Sequence, residues 1–186
     1  MKNKVQNFIS EKFLFSKEDK LILGISGGAD SVCLMLLLLE LDYNFELAHC
    51  NFNLRSDESD EDEIFVRKLA KEYQLRIHVK HFDTQNYANE NKVSVQMAAR
   101  DLRYAWFYDL LASENAKYIA TGHHANDDIE TFFINLVRGS GLKGLLGIKA
   151  KIDSIVRPLM AVSRAEIEGF LKENDIFFRK DSSNTS

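Results

Sequence analysis

A loop rich in serine and glycine is the first segment of the chain whose residue types are suited to a charged ligand. The run Ser26-Gly27-Gly28-Ala29-Asp30-Ser31 lies between two apolar stretches. Its two glycines let the backbone approach a ligand, and the start of a following helix offers amide groups to anionic oxygens. Ser26 and Ser31 would add hydroxyls, and Asp30 would hold Mg²⁺ against phosphates. The competing interpretation is a helix cap, because Ser and Asp are good N-cap residues.

A second candidate site is the acidic segment that follows Gly122. Asp127 and Glu130 are three positions apart, so they share one face if a helix starts just before them. Two carboxylates on one face would form a pocket for an amine, or supply the base that removes its proton. Two alternatives remain open. The helix dipole favours acidic residues in a first turn, and the pair His123-His124 resembles metal ligands.

Further candidates are basic residues. Arg100 and Arg103 lie one helical turn apart, so both could clamp a phosphate or a carboxylate, although surface ion pairs are the commoner role of such arginines. His49 follows an apolar strand pattern, where a nucleotide would lie, but a histidine there is often only structural. The glycine-rich run Gly139–Gly144 matches GxGxxG, yet it follows a helix rather than a strand, so we discount it.

The elements that must position these residues alternate along the chain. The predicted strands are Leu21–Ile25, Phe45–Cys50, Arg76–Val79, Lys117–Ala120 and Ile155–Val156. The predicted helices are Ser31–Leu41, Asp57–Gln74, Lys92–Ser113, Asn126–Val137 and Arg164–Lys172. This order predicts a three-layer α/β sandwich with a mainly parallel sheet of about five strands. Ligands then bind beyond the carboxyl ends of the strands, where the candidate residues fall.

Composition limits the class of protein. The 186 residues are 45% hydrophobic and 28% charged, which predicts one compact domain over residues 1–186. Apolar runs are too short for a membrane span and the amino terminus lacks a signal-peptide core, so we expect a cytoplasmic protein.

Cys33 and Cys50 have no metal-site spacing and are expected to be reduced thiols. The net charge of -4 gives no global attraction for nucleic acid. The acidic run Asp57–Glu63 is interpreted as a solvated helix start.

The motifs together resemble a known family. The hexapeptide of the first loop resembles the SGGxDS loop of the N-type ATP pyrophosphatases. Other segments are similar to the tRNA-isoleucine lysidine synthetases within that group, and the resemblance runs from about Leu21 to the last residue. The segments that carry it are HCNFNLR at 49–55, ARDLRY at 99–104, TGHHANDDIET at 121–131, RGSGLKGL at 138–145, RPL at 157–159 and KDSSN at 180–184.

The resemblance implies a fold and a reaction. The fold is the Rossmann-like one of adenine nucleotide alpha-hydrolases. The reaction uses ATP and Mg²⁺ to attach free L-lysine to the wobble cytidine of an isoleucine tRNA with a CAU anticodon, releasing AMP and pyrophosphate. Family members usually continue past the DSSN motif, so tRNA-contacting domains are expected beyond this chain. A homodimer is left open.

The resemblance also assigns residues. It implies catalytic roles for Asp30, Arg100, Arg103, Asp127 and Glu130, of which the last two would hold the lysine or act as its base. Nucleotide contacts are implied for Ser26, Gly27, Gly28, Ala29, Asp30, Ser31, His49, Asn51, Gly122 and His123, with His124 also bordering the nucleotide.

The chain departs from the family pattern at two positions. Phe52 and Asn53 stand where many members have histidine and glycine, so a role for that second imidazole does not carry over. An aromatic ring at the first of these positions can still stack on a base.

Two other functions compete with lysidine synthesis. A tRNA thiolase of the same loop family is disfavoured, because related cytidine thiolases use paired cysteines that this chain lacks. A non-catalytic nucleotide-binding module would leave the acidic pocket at Asp127 and Glu130 without a purpose. Lysine-dependent release of pyrophosphate separates the three.

Overall fold

One mostly parallel sheet forms the centre of the molecule. The computed structural model describes residues 1–54, 56–127, 129 and 147–179, and in them a sheet of six strands has the order β3-β2-β1-β4-β6-β5. The strands are β1 (Leu21–Gly24), β2 (Phe45–Asn51), β3 (Ile77–His81), β4 (Tyr118–Ala120), β5 (Lys151–Ile152) and β6 (Ile155–Val156). Only β5 runs antiparallel to its neighbour β6, while the other pairings are parallel.

Helices cover both faces of this sheet. They are α1 (Lys2–Glu11), α2 (Ala29–Glu40), α3 (Ser56–Glu72), α4 (Thr84–Asn91), α5 (Val95–Ser113) and α6 (Arg164–Glu173), with a 3₁₀ turn at Pro158–Ala161. A further helix begins at Ala125. In the described part of the chain, no helix combines the length and the apolar character needed to cross a membrane.

The two hydrophobic clusters explain why the strands are apolar throughout. Leu21 and Leu23 of β1 face the cluster built with α1, α2, α3 and α6, whereas Ile22 faces the opposite cluster with Trp106 and Phe107 of α5. Alternate residues of a strand point to opposite faces, so a strand covered on both sides carries no polar face. The three-layer α/β prediction is therefore confirmed.

The structure also differs from the sequence prediction in local detail. The helix expected over Lys92–Ser113 begins three residues later, at Val95, because Lys92 adopts a left-handed conformation with φ 54° that ends the preceding helix α4. Ser94 then caps α5 by accepting a hydrogen bond from the Met97 amide. The helices α1 and α4 and the two-residue strand β5 were not predicted. The helix predicted over Asn126–Val137 begins one residue earlier, and the rest of it and the glycine-rich run lie mostly outside the described residues.

Candidate active site

A large cavity opens at the carboxyl ends of β1, β2 and β4. Its volume is about 1510 Å³. The predicted site residues that line it are Ser26, Gly28, Ala29, Asp30, Ser31, His49, Asn51, Arg103, Gly122, His123 and Asp127. Gly27 and Arg100 are not among the lining residues. Glu130 lies outside the described residues, so its predicted position stays a prediction.

The loop between β1 and α2 is held in shape by its own hydroxyl groups. The Ser31 hydroxyl accepts from the Ser26 amide at 3.2 Å and donates to the Gly28 carbonyl at 3.0 Å. Gly27 has φ +92°, and a Cβ there would lie 3.0 Å from the Phe65 ring, so only glycine fits without strain. The N-cap of α2 is Gly28, and no side chain caps it. First-turn amides of a helix lack intrahelical acceptors, which favours anion binding over the cap interpretation.

The loop after β4 lies directly against the start of α2. A Cβ on Gly122 would sit 3.1 Å from the Asp30 carbonyl carbon and the Ser31 amide nitrogen, so a larger residue would separate the two segments. This close approach brings the acidic segment after Gly122 beside Asp30. Burial raises the pKa of the Asp30 carboxyl, with the negative charge of Asp127 adding to the effect and His124 opposing it.

Asp127 takes part in a reciprocal cap at the start of its helix. The Asn126 amide donates to His124 Nδ1 at 3.2 Å, and the His124 amide donates to Asp127 Oδ2 at 2.9 Å. One oxygen of Asp127 therefore stabilises the start of the helix, as the structural alternative proposed. The side chain is nevertheless 33% exposed and lines the cavity, so it is also available to a ligand.

His49 lines the cavity and has an imidazole nitrogen without a partner among the described residues. Its Nδ1 lies 2.9 Å from the carbonyl of Ile25, and since a carbonyl only accepts, Nδ1 carries the proton and donates. Its Nε2 is then a bare acceptor, and it is buried without a partner among the described residues. Burial lowers the pKa of His49, so the ring is neutral near pH 7. A ligand hydroxyl or amino group would satisfy Nε2.

Asn51 and the two arginines of α5 have partners that the sequence did not indicate. The Asn51 amide donates to Asp60 at 3.2 Å and to Glu63 at 3.1 Å, which fastens β2 to α3. Arg103 lies over the Phe52 ring at 5.2 Å, and Arg100 lies over the Tyr104 ring at 5.0 Å. Phe52 also stacks on Phe82 at 5.6 Å. The aromatic residue at position 52 therefore supports Arg103 in the cavity wall.

Two further arginines near the cavity were missed. Arg157 is 5% exposed, donates to the Lys149 carbonyl at 2.7 Å and keeps a buried Nε without a partner in the described part of the chain. Burial lowers its pKa. The Arg179 amide donates to the Gly27 carbonyl at 2.9 Å, which attaches the last described residue to the loop. A charged residue within the otherwise apolar RPL motif was the available signal for Arg157.

Arg179 also changes the interpretation of the acidic run on α3. Its guanidinium donates to Asp62 Oδ1 and to Glu61 Oε2, each at 2.8 Å. The run does begin a helix and its Asp60 and Glu61 are exposed, as expected, but these two, Asp62 and Glu63 also accept hydrogen bonds from Asn51 or Arg179. Part of the run is a structural anchor, because four of its carboxylates meet donors from other elements.

The alternative of a metal pair at His123-His124 gains no support. His123 Nδ1 lies 3.0 Å from the Thr121 hydroxyl, and the imidazole of His124 faces carboxylates. Within the described residues, the group with metal-ligand spacing is Glu46, His78 and Glu114, which lies on another edge of the sheet.

A comparison with known families agrees with this geometry. The profile of the PP-loop domain matches residues 1–186. The chain belongs to the PP-loop domain family. Membership implies the use of ATP, which is consistent with a phosphate loop that ends in uncapped helical amides.

Solved structures similar to this PP-loop domain share its fold. A U34-tRNA thiolase from Methanococcus maripaludis, solved with its [4Fe-4S] cluster, superposes with a TM-score of 0.79 at 20% identity, covering 100% of this chain and 66% of that one. An NH3-dependent NAD synthetase from Campylobacter jejuni superposes with a TM-score of 0.64 at 19% identity, covering 94% of this chain and 72% of that one.

Curated relatives of the PP-loop domain are more similar in sequence. A tRNA(Ile)-lysidine synthase from Bacteroides thetaiotaomicron is 45% identical over 99% of this chain and 43% of its own length. One from Porphyromonas gingivalis is 49% identical over 98% of this chain and 40% of its own length. The chain thus spans about two fifths of the length of these relatives.

Proposed function

We propose that this PP-loop domain is the catalytic part of a cytoplasmic ATP-dependent carbon–nitrogen ligase. It would adenylate the wobble cytidine of an isoleucine tRNA with a CAU anticodon and join free L-lysine to it, forming lysidine, AMP and pyrophosphate. The observation that carries this proposal is the convergence of two carboxylates, Asp30 and Asp127, on one cavity. The similarity to tRNA(Ile)-lysidine synthases supports the choice of substrates.

The first half-reaction needs a place for the triphosphate. The cytosine O2 attacks the α-phosphorus of ATP, the bond to the β-phosphate oxygen breaks, and pyrophosphate leaves. Amides of the first turn of α2 and the hydroxyl of Ser26 face the cavity and would hold the phosphate oxygens. The bare Nε2 of His49 would accept a hydrogen bond from the nucleoside. Arg103 would neutralise negative charge across the cavity.

A divalent cation fits the carboxylate that starts α2. Asp30 lines the cavity with a side chain that is 39% exposed, and carboxylate oxygens are the ligands that Mg²⁺ prefers. Bound Mg²⁺ would offset the charge of the phosphates and of the departing pyrophosphate. The raised pKa of Asp30 reflects a site that disfavours an unneutralised negative charge, which a cation relieves.

The second half-reaction needs an amine site on the other side of the cavity. Adenylation turns the carbonyl oxygen of the base into a good leaving group, so a lysine amine can attack C2 while AMP departs with that oxygen. Asp127 would bind the ammonium group or accept its proton, and Glu130 is predicted to share this role from the next turn. An amine pocket beside a phosphate loop has no use in a module that only binds nucleotide.

The cysteines argue against sulfur transfer. Burial raises the pKa of Cys33 and of Cys50 to about 12, so both thiols stay protonated at neutral pH. Cys33 is buried within α2, and Cys50 lies on β2. They therefore do not form the pair of reactive thiolates that a thiolase of this fold would need.

Mass spectrometry of the tRNA tests the proposal directly. The protein is incubated with an isoleucine tRNA transcript, ATP, Mg²⁺ and lysine, and the nucleosides are analysed after digestion. We expect a cytidine heavier by lysine minus water, and we expect it only when all four components are present. Release of pyrophosphate that needs tRNA but is indifferent to lysine, with no heavier cytidine, would refute ligation and favour another adenylation reaction.

A further inference from the structure

Among the described residues that follow Gly122 in the acidic segment, His124 is buried rather than exposed to the cavity. It is 4% exposed and is absent from the residues that line the cavity, although the sequence interpretation placed it beside the nucleotide. Its imidazole lies between the two candidate carboxylates. Nε2 is 3.7 Å from Asp30 Oδ2 and 3.5 Å from Asp127 Oδ1. The residue therefore contacts both halves of the site without facing either ligand.

The hydrogen bonds fix which nitrogen of His124 carries the proton. Nδ1 accepts from the Asn126 amide at 3.2 Å, so Nδ1 holds a lone pair toward that N–H. A neutral imidazole then has its proton on Nε2. One N–H group consequently faces two carboxylates, each at a distance longer than that of a strong hydrogen bond. A small movement toward either carboxylate would make one short bond and lose the other contact.

We propose that His124 is a shared positioning residue that links occupancy of the metal–nucleotide half, at Asp30, to the orientation of the amine half, at Asp127. This inference rests on the proposed function and adds a coupling between its two substrates. When a cation neutralises Asp30, that carboxylate attracts the Nε2 proton less, and the N–H turns to Asp127 Oδ1.

The consequence for Asp127 is a locked carboxylate. Its Oδ2 already accepts from the His124 amide at 2.9 Å. A second bond from Nε2 to Oδ1 would fix the plane of the group and leave its remaining lone pairs toward the cavity. A ligand binds a preorganised partner more tightly, because less ordering is needed on binding. Lysine should therefore bind more tightly after the nucleotide has bound.

A matched pair of variants separates this role from helix capping. In His124→Asn the short side chain keeps an oxygen near Nδ1 and remains a preferred N-cap, but it has no donor at the position of Nε2. In His124→Gln the amide nitrogen reaches the position of Nε2, while the cap acceptor is lost. His124→Asn should thus keep its stability and lose the coupling, whereas His124→Gln should lose stability and keep the coupling.

The experiment measures lysine affinity by calorimetry with and without Mg²⁺ and the non-cleavable analogue α,β-methylene-ATP. Relative to wild type, we expect His124→Asn to weaken lysine binding about ten-fold when the analogue is bound, the loss of one hydrogen bond to a charged group. Without the analogue the change should stay below about two-fold, because the long contact contributes little. Charges on the carboxylates, metal and phosphates are equal in both proteins, so this difference isolates the imidazole.

The capping variant completes the test. We expect His124→Gln to recover much of the coupling while unfolding at a lower urea concentration than wild type, the usual result of a lost cap. Equal lysine affinities for wild type and His124→Asn in the loaded state would overturn the inference. So would a His124→Asn protein that no longer binds the analogue, since His124 would then serve the nucleotide alone. A wild-type protein that binds the analogue but never lysine would instead refute the amine pocket, and the proposed function with it.

Discussion

The parallel strands begin at one side of the sheet, its amino edge, and end at the other, its carboxyl edge. The two differ in how completely their carboxylates are paired. At the amino edge, Lys20 lies 2.8 Å from Glu46, and the Arg76 guanidinium donates to Glu114 at 2.6 Å. His78 adds a contact to Glu46 at 2.8 Å. Each of these carboxylates therefore meets at least one cation from a neighbouring element, and the group is a closed network rather than a vacant cation site.

The carboxyl edge leaves its polar groups incompletely paired. Asp30 and Asp127 meet the imidazole of His124 only at 3.7 and 3.5 Å. His49 Nε2 and Arg157 Nε are buried without a partner among the residues that the structure describes. Buried polar atoms are normally satisfied, and of these two residues His49 lines the cavity, so its Nε2 is a candidate contact for a ligand.

In this fold, the paired carboxylates at the amino edge contribute to stability, and the incompletely paired ones at the carboxyl edge are available for function. Both edges carry carboxylates and histidines. What differs is whether lysine and arginine side chains from adjacent elements reach the carboxylates. Removing a charge should therefore impair the reaction at one edge and the folded state at the other.

The largest effect is expected at Asp30. Asp30→Asn keeps the size of the side chain but removes the charge that is proposed to hold Mg²⁺, so adenylation should fall by about a hundred-fold or more. Since burial already disfavours the ionised form of Asp30, stability should be unchanged or slightly higher. Pyrophosphate release and circular dichroism are measured together. Near-normal turnover in a folded Asp30→Asn protein would mean that the carboxylate only shapes the loop.

The next largest effect is expected at Asp127, where a substitution should affect lysine binding but not adenylation. Asp127→Asn should spare adenylation and weaken apparent lysine affinity by roughly ten- to a hundred-fold, because a charged hydrogen bond to the amine is lost. Glu130→Gln should act similarly if that residue shares the pocket. A quench experiment follows adenylated tRNA and lysidine separately across a lysine titration.

The opposite outcome for these variants is equally clear. If they lose adenylation and keep a normal dependence on lysine, their carboxylates serve ATP or its metal. The isosteric Asp30→Asn protein is the matched control, since it should fail in the first half-reaction at every lysine concentration.

At the amino edge the same kind of change should act on folding. The Glu46 side chain is 13% exposed. Glu46→Gln would leave His78 without its carboxylate partner and Lys20 with only the longer contact to Glu114, at 3.9 Å. We expect a loss of about 1–3 kcal/mol in the free energy of unfolding. Urea denaturation measures it, and calorimetry with the ATP analogue should show nucleotide affinity within about two-fold of wild type. A Glu46→Gln protein with normal stability and impaired nucleotide binding would break the comparison between the edges.

Features formed by neighbours in the chain could be predicted from the sequence, whereas contacts between distant segments could not. The phosphate loop was predictable because its glycines, serines and following apolar helix are neighbours in the chain. The contact between His124 and Asp30 was not, since it depends on Gly122 lying against α2 across the sheet. The start of α5 was misplaced for another reason. Lysine is not a typical residue for a left-handed conformation, so Lys92 was placed inside the predicted helix.

The smallest effect is expected at Cys50, which lies at the carboxyl edge and lines the same cavity. Its pKa is raised to about 12, mainly by burial, so the thiol is protonated at neutral pH. Thiolates are the form that attacks or binds a metal cluster, and a protonated thiol beside the nucleotide does neither. Cys50→Ala should therefore change lysine transfer to the tRNA by less than about two-fold, within the range of a minor packing change. Steady-state rates of lysidine formation are compared with and without prior alkylation of the wild-type protein. A loss of activity in Cys50→Ala that thermal unfolding does not explain would place a thiol in the reaction and reopen sulfur chemistry at this edge.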